Sequence, residues 1–387
     1  MPQAIHDGAA WLSLICISVS AIGCAYAIFA GFRVRYFTRC PANPAMRALP
    51  VTILKPLSGD EPGLYANLSS FCAQDYAGPL QIVFGVQDAN DPAIAVARQV
   101  MDDFSHLDIQ LVIDSHLHGS NRKVSNLINM AKSVRHEVVV LADSDMRVQP
   151  AYLGTIVDTL QQQGVGLVTC LYHGAATSGV WSRLSAMAID DHFLPGVLVG
   201  LATGLASPCF GSTIALRRAT LREIGGFETF ADKLADDHAM GEAVRRSGLK
   251  VAIPPLLVAH ACPQGSFADL WHQELRWART ISAVNFAGFA GSGLTHATAF
   301  AVLGAASGGF GTAACAMIAL ALASHLWLQM QMARGFDLPM PHFWLNPLRD
   351  ALSFAVYLAC FFTRRVEWRG RSFYVADDGS ISSIASS

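Results

Sequence analysis

The chain has 387 residues, of which only 14% are charged and 52% apolar, with a mean hydropathy of +0.36. Soluble proteins carry roughly 25% charged residues, so this balance points to a membrane. A formal net charge of -2 argues against a surface built to cover nucleic acid. The nine cysteines show neither a CxxC pair nor paired Cys/His spacing. That leaves no zinc module or disulfide framework and reads as reduced, mostly buried thiols facing the cytosol.

The first predicted element is a span over 8–32, which holds no charged residue and is long enough for a hydrocarbon core of about 30 Å. A signal peptide fits less well, because no Lys or Arg precedes the apolar run and the run is too long. Arg33, Arg35 and Arg39 follow it directly, which by the positive-inside rule places what comes next on the cytoplasmic face.

From 50 onward short β-rich runs alternate with helical periodicity, the pattern of βαβ units on a mostly parallel sheet. Strands are expected at "VTILKP" (51–56), "LQIVFGVQD" (80–88), "LDIQLVID" (107–114) and "EVVVLADSD" (137–145), and helices at "GLYANLSSFCAQ", "DPAIAVARQVMDDF" and "KVSNLINMAKSV". Carboxylates stand at the C-terminal ends of several of these strands. That edge is where ligands bind in open α/β sheets. No GxGxxG or GxxxxGK[ST] is present, so dinucleotide oxidoreductases and P-loop ATPases lose their sequence support.

Asp143 and Asp145 close the fourth strand at i and i+2. Such a pair can converge on Mg²⁺ or Mn²⁺ and a diphosphate, or simply cap the following helix. Asp88, in "VQDANDP", is equally good turn chemistry and a candidate acceptor for a nucleobase hydrogen bond. Asp236 and Asp237 open an amphipathic helix, where acids favour the macrodipole; adjacent carboxylates in a cleft also raise each other's proton affinity, which suits a general base. His192, His238 and His260 read more readily as structural residues than as ligands. The apolar, glycine-rich stretch 191–213 is either an acceptor-side wall or an ordinary buried helix or hairpin.

Gln273, Arg276 and Trp277 fall on one helical face, just before a stretch of about 54 residues, 280–333, without a charged side chain. They fit an interfacial belt or a site that neutralises diphosphate charge and stacks on an acceptor. The uncharged stretch suits a transmembrane hairpin turning at "SGGFG", 307–311. A third apolar run within 342–363 is short and flanked by Arg349, Asp350, Arg364 and Arg365. It reads as interfacial, re-entrant or a third C-terminal span, with a cytosolic tail over 364–387.

The ordered set "LKPLSG", "VQD", "NRKVSNL", "ADSD", "ADDH" and "QELRW", with "VEWRGR" near the end, resembles the ceramide glucosyltransferase family, glycosyltransferase family 21. It is most like the bacterial branch associated with hopanoid biosynthesis. The resemblance implies a GT-A fold, a Rossmann-like and mostly parallel sheet, as a cytosolic domain over 50–279 with transmembrane helices at both ends. It also implies inverting transfer from a UDP-sugar to a membrane lipid at the bacterial inner membrane. In that branch the transfer is N-acetylglucosamine from UDP-GlcNAc to bacteriohopanetetrol; glucose from UDP-glucose to ceramide is the alternative.

Residue by residue, the resemblance has Asp88 bind uridine, Lys123 and Asn126 face the donor, and Asp143 and Asp145 hold the metal and diphosphate. Asp237 becomes the base, and Gln273, Arg276 and Trp277 the closing motif. This chain departs from the family in having Asp236 where Glu is usual and His238 where an aromatic is common. A polysaccharide synthase would need more spans, a transporter would carry its acids within the spans, and a non-catalytic binder would not need the full acid set.

Overall fold

The computed structural model describes residues 2–39, 47–362, 365–368, 371–375 and 381–383, with side chains at 8–39 and 47–362. Contacts divide the chain into two compact units. One comprises Met1–Cys40, Ser178–Ser207 and Gln264–Glu367, the other Pro41–Thr177, Pro208–Pro263 and Trp368–Ser387. Within the stretch 50–279, expected as one domain, 178–207 and 264–279 fall in the same unit as the N-terminal helix.

The second unit is built on strands β1 (Val51–Pro56), β2 (Leu80–Val86), β3 (Asp108–Ile113), β4 (Val138–Leu141), β5 (Met146–Arg147), β6 (Val165–Thr169), β7 (Leu171–Ala176), β8 (Ile214–Arg217), β9 (Lys250–Ala252) and β10 (Leu257–Cys262). Seven form one sheet in the order β3-β2-β1-β4-β8-β6-β9. The β1, β2, β3 and β4 pairings are parallel, β8 runs antiparallel to β4 and β6, and β9 is parallel to β6. This is the mostly parallel GT-A type of sheet that the sequence leads one to expect.

The apolar runs of the central strands are continuous because both faces are covered. Alternation sends Val51, Ile53, Ile82, Phe84, Val138 and Val140 into one core layer. Leu54, Val83, Val139 and Leu141 enter the other, as the two-residue period of a strand requires. The first layer packs on the helices Leu64–Cys72, Ala93–Asp103 and Tyr152–Leu160. The second packs on Arg122–Ala131 and Asp236–Arg246. The order reverses at β1/β4, the switch point at which crevices open in such sheets.

The first unit is helical. Its N-terminal helix Pro2–Thr38 packs on Ala297–Gly308 through small residues: a Cβ on Gly23 would lie 2.8 Å from that of Ala297, and Ser13 Oγ donates to Gly304 O at 2.7 Å. Close approach of this kind is what binds helices in lipid. Among the described residues, three helices, Gly8–Thr38, Gly179–Thr203 and Thr312–Phe336, are long and apolar enough to cross a membrane.

Over 280–333, where a hairpin is expected, the chain forms a bent helix pair followed by the helix Thr312–Phe336. The pair is Phe286–Thr295 and Ala297–Gly308, bent by 61°, before a turn whose Gly309 adopts φ +85°. Gly179–Thr203, read in part as a possible wall or buried segment, is itself of spanning length. The helix within 342–363, Asn346–Cys360, has 15 residues, short of the roughly 20 that a span needs. Arg349 and Asp350, which precede the apolar run, lie inside this helix and are buried, so they are not surface flags. Seven of the eight described cysteines are buried, and Cys315 is exposed. The tail reading over 364–387 falls largely outside the described residues.

Candidate active site

The site grows from the C-terminal ends of β1 and β4. Lys55 is the one basic residue of a strand buried along its whole length. A lysine inside such a run needs a reason, since its desolvation is costly. Its Nζ donates to Asp143 O at 2.5 Å and lies 3.8 Å from the Phe71 ring centroid, an additional cation–π contact. Burial pushes its ammonium down to about 7, against the pull of Asp145 and Asp143. Lys55 thus fixes the turn Asp143–Met146 from below.

The helix Arg122–Ala131 supplies a second lysine. Asn121 is its N-cap and accepts from Val124 N at 3.1 Å. The same side chain donates to Lys233 O at 2.8 Å and to Asp236 Oδ1 at 3.3 Å. One fully buried Asn therefore joins the starts of two helices. This brings Lys123 Nζ to 2.6 Å from Asp143 Oδ1 and 3.4 Å from Asp236 Oδ2. Burial works to lower Lys123, but Asp143, Asp236 and Asp237 overcome it and hold the ammonium well above its usual range.

Asp145 is positioned by the small sheet β5-β10-β7. Met146 pairs with His260 across β5 and β10, and Ala261 N donates to Asp145 O at 2.9 Å. Asp145 Oδ2 consequently lies 3.2 Å from His260 Nε2. Burial tends to raise the Asp145 carboxyl, but His260, Lys55 and Lys123 together lower it. Burial alone would lower His260, yet Asp145 lifts it to about 10.

Asp145 Oδ1 is buried without a hydrogen-bond partner. An orphaned carboxylate oxygen beside an imidazole and a second carboxylate suits a small divalent cation. Asp143 and Asp145, with His260 alongside, would hold it.

Asp237 sits in the first turn of Asp236–Arg246. Its Oδ2 accepts from Gly211 N at 2.8 Å and its Oδ1 from His238 N at 2.7 Å. Burial and the neighbouring Asp236 raise it to about 6, with Lys123 opposing. The Gly211 loop is pinned by Thr169, whose Oγ1 accepts from Phe210 N at 2.9 Å, and by Ser212 Oγ donating to Cys170 O at 2.8 Å. A Cβ on Gly211 would lie 2.7 Å from Asp143 Oδ2 and 3.0 Å from Lys123 Nζ. Glycine is needed there because the backbone passes between the acids.

Asp143, Asp145, Asp237 and Lys123 thus form one cluster. Asp88 follows β2, the neighbour of β1, and its Oδ1 accepts from Asn90 N at 2.9 Å; it is an exposed turn residue at the same sheet edge. Asn126 is buried, and its Nδ2 donates to Gly85 O at 2.8 Å, which ties its helix to β2. Gln273, Arg276 and Trp277 lie on the helix Phe267–Val284 of the other unit, where Gln273 Oε1 accepts from Gln264 Nε2 at 2.9 Å.

Sequence reasoning gave no role to Lys55, Asn121 or Gly211 and undervalued His260. A lone Lys in a buried strand and an Asn before a helix were the available signals.

Comparison with known proteins agrees with this architecture. Ceramide glucosyltransferase 1 of Caenorhabditis elegans is 25% identical over 265 residues, 65% of this chain and 56% of the relative. Ceramide glucosyltransferase 3 of the same organism is 23% identical over 233 residues, 59% of this chain and 50% of the relative. The chain spans about half the length of these curated relatives.

Among solved structures, the mannosyltransferase PcManGT from Pyrobaculum calidifontis, determined in complex with GDP-Man and Mn²⁺, is similar with a TM-score of 0.54. It is 19% identical, and the match covers 91% of this chain and 99% of that one, a likeness of fold. The family model described as Glycosyl transferase family 21 matches residues 15–381. With the motifs in order from the first strand to the last helices and the model matched over nearly the whole length, the chain belongs to glycosyl transferase family 21.

Proposed function

We propose that the chain is an inverting glycosyltransferase that moves a sugar from a UDP-sugar to the hydroxyl of a membrane lipid. The observation that carries the reading is the convergence of Asp143, Asp145, Asp237 and Lys123 at the β1/β4 switch point. The resemblance to the hopanoid-associated branch favours N-acetylglucosamine from UDP-GlcNAc and bacteriohopanetetrol as acceptor. The names of the curated relatives favour a second reading, glucose and ceramide. Arg33, Arg35 and Arg39, which follow the uncharged stretch 8–32, support a cytoplasmic active site at a bacterial inner membrane.

Asp143 and Asp145 would hold a divalent cation, Mg²⁺ or Mn²⁺, which would supply positive charge to the diphosphate. Lys123, held between Asp143 and Asp236, keeps a fixed positive charge beside the same acids, and preorganised charge of this kind usually contributes most to catalysis. Asp88 binds the uridine at the neighbouring strand end.

Asp237, with a carboxyl near 6, is mostly ionised at neutral pH and close enough to it to accept a proton efficiently. It takes the proton of the lipid hydroxyl as that oxygen bonds to the anomeric carbon from the face opposite the leaving group. The bond from that carbon to the diphosphate breaks, UDP departs, and the configuration inverts. Gly211 N and His238 N aim the Asp237 carboxylate. Arg276 is assigned to leaving-group charge and Trp277 to stacking on the acceptor, with Gln273 as the third member of their motif.

The test is mass spectrometry of lipids after membranes containing the protein are incubated with Mg²⁺ or Mn²⁺, a panel of UDP-sugars, and bacteriohopanetetrol or ceramide. A hexosamine-mass adduct on the hopanoid supports the first reading, and a hexose adduct on ceramide the second. UDP-sugar binding without any adduct would overturn both.

A further inference from the structure

The helical unit contains a second group of metal-competent side chains that the transfer reaction does not use. The segment Gly179–Thr203 is not a regular helix: Ala188–Phe193 forms a π-helical turn just before Pro195, whose missing N–H cannot complete the preceding ladder. π-Turns inside helices recur at functional sites. This one carries Asp191 and His192. Thr312–Phe336 contributes His325, and Asn346–Cys360 contributes Asp350.

His325 Nδ1 lies 3.2 Å from Asp350 Oδ1, and His192 Nε2 lies 3.6 Å from the same oxygen. One ligand atom from each of the three residues falls within 4.8 Å of the other two. Asp191 Oδ2 is 3.9 Å from His325 Nε2. Its orientation is set by Gln329, which donates to it at 2.8 Å and exchanges hydrogen bonds with Asn346 at 2.9 and 2.8 Å. Outer partners of this type fix and tune metal ligands. The group lines a cavity of about 40 Å³ shared with His296, more than one water needs.

The second observation is a deficit. His192 Nε2, His325 Nε2, Asp350 Oδ1 and His296 Nδ1 are all buried without a hydrogen-bond partner. A buried polar group left without a partner carries its full cost of desolvation. Ionisable residues on apolar helices are retained only where they serve a site. We propose that His192, His325 and Asp350 bind a divalent transition metal of the zinc class, with Asp191 facing the other ring nitrogen of His325 as an outer partner.

Two imidazoles and a carboxylate suit zinc and its neighbours, whereas Mg²⁺ and Ca²⁺ favour all-oxygen sets. Ligands held tetrahedrally at about 2.0–2.1 Å from zinc lie about 3.4 Å from one another, close to the 3.2 and 3.6 Å that separate Asp350 Oδ1 from His325 Nδ1 and His192 Nε2. The ion cross-links three helices that are distant in sequence. Its role is structural, and it is independent of Asp143 and Asp145, which belong to the other unit.

The full chain is purified in detergent, loaded with Zn²⁺, desalted and assayed by elemental mass spectrometry, with zinc-edge absorption spectroscopy on the same sample. The wild type is expected to retain about one zinc per chain, with nitrogen and oxygen ligands, and chelation is expected to lower its Tm until zinc is restored. His325→Gln and Asp350→Asn are expected to bring the retained zinc close to zero, while Asp145→Asn leaves it unchanged. Should those variants fail to fold, His192→Gln serves, because His192 is the least buried of the three ligands. A wild type that holds no zinc after loading, with water alone in the cavity, overturns the proposal, and so does full zinc retention in a folded His192→Gln variant.

Discussion

His260 Nε2 lies 3.2 Å from Asp145 Oδ2, and each side chain shifts the other toward its charged form. If the pair supports the cation site, His260→Gln should raise the Mn²⁺ concentration for half-maximal turnover by about 10- to 100-fold, as removal of a metal-supporting partner does. Asp145→Ala should abolish transfer outright. A His260→Gln protein that is merely less heat-stable, with an unmoved Mn²⁺ requirement, would assign His260 to structure alone.

The same pair gives a signature in stability. His260 rises from 6.5 to about 10 on folding, so the folded state holds this proton more tightly. The stabilisation is complete below the unfolded value and is lost as pH climbs through about 10. The wild type should therefore lose more Tm between pH 7 and 10 than His260→Gln does.

Asp237 makes the opposite kind of prediction. A base that titrates near 6 must be ionised to work, so turnover should rise with pH through about 6 and level off above it. Folding raises this carboxyl, so its ionised form costs stability as pH rises from the unfolded value of 3.8 through about 6. Asp237→Asn relieves the repulsion from Asp236 but loses one of two acceptors, for Gly211 N or His238 N. These effects offset, so Tm should move by only about 3 °C while turnover falls by about 10²- to 10⁴-fold. An unchanged pH profile in the wild type between 5 and 7.5 would remove Asp237 from the role of base.

The sheet was legible because each strand is a short apolar run and each ends in a carboxylate or turn signal; β1 to β4 lie within a few residues of their expected bounds. Asp143 and Asp145 stand out in the sequence for the same reason, as polar residues where an apolar run stops, and Asp237 stands out as one of two adjacent acids that open an amphipathic helix. His260 was not legible, because its partner is 115 positions away and the two meet only through the antiparallel pairing of β5 and β10. Arg349 was misread as a flanking charge for a comparable reason. Local hydropathy cannot show that a charge before an apolar run faces another helix, and its acidic partner, Glu274, lies within a motif read for other residues.

Gly211 tests the geometry of the acids without altering any of them. Gly211→Ala places a methyl 2.7 Å from Asp143 Oδ2 and 3.0 Å from Lys123 Nζ, and the flexible lysine can yield where the acid cannot. Displacement of about 1 Å near reacting groups can cost on the order of 10²-fold in rate. Turnover should drop by that order with the fold retained. Activity within twofold of wild type would mean that the Asp143 carboxylate tolerates movement and that the cluster is less preorganised than its distances imply.

Glu274 and Arg349 tie the helix that bears Gln273, Arg276 and Trp277 to Asn346–Cys360. Arg349 Nη1 and Nη2 each donate to a Glu274 carboxylate oxygen at 2.6 Å, and Nη1 also donates to Leu184 O at 2.8 Å. Arg349 is fully buried, so removing its partner leaves an uncompensated charge worth about 3–5 kcal/mol. Glu274→Gln should destabilise by roughly that amount.

Replacing both residues, Glu274→Leu with Arg349→Met, should recover most of the loss, because a buried ion pair contributes little over an apolar pair of similar volume. If the double variant regains its Tm but not its turnover, the pair serves to aim the helix that carries Arg276 and Trp277. If Glu274→Gln is itself neutral in Tm, Arg349 is held by the Leu184 carbonyl and Ser353, and the ion pair is dispensable.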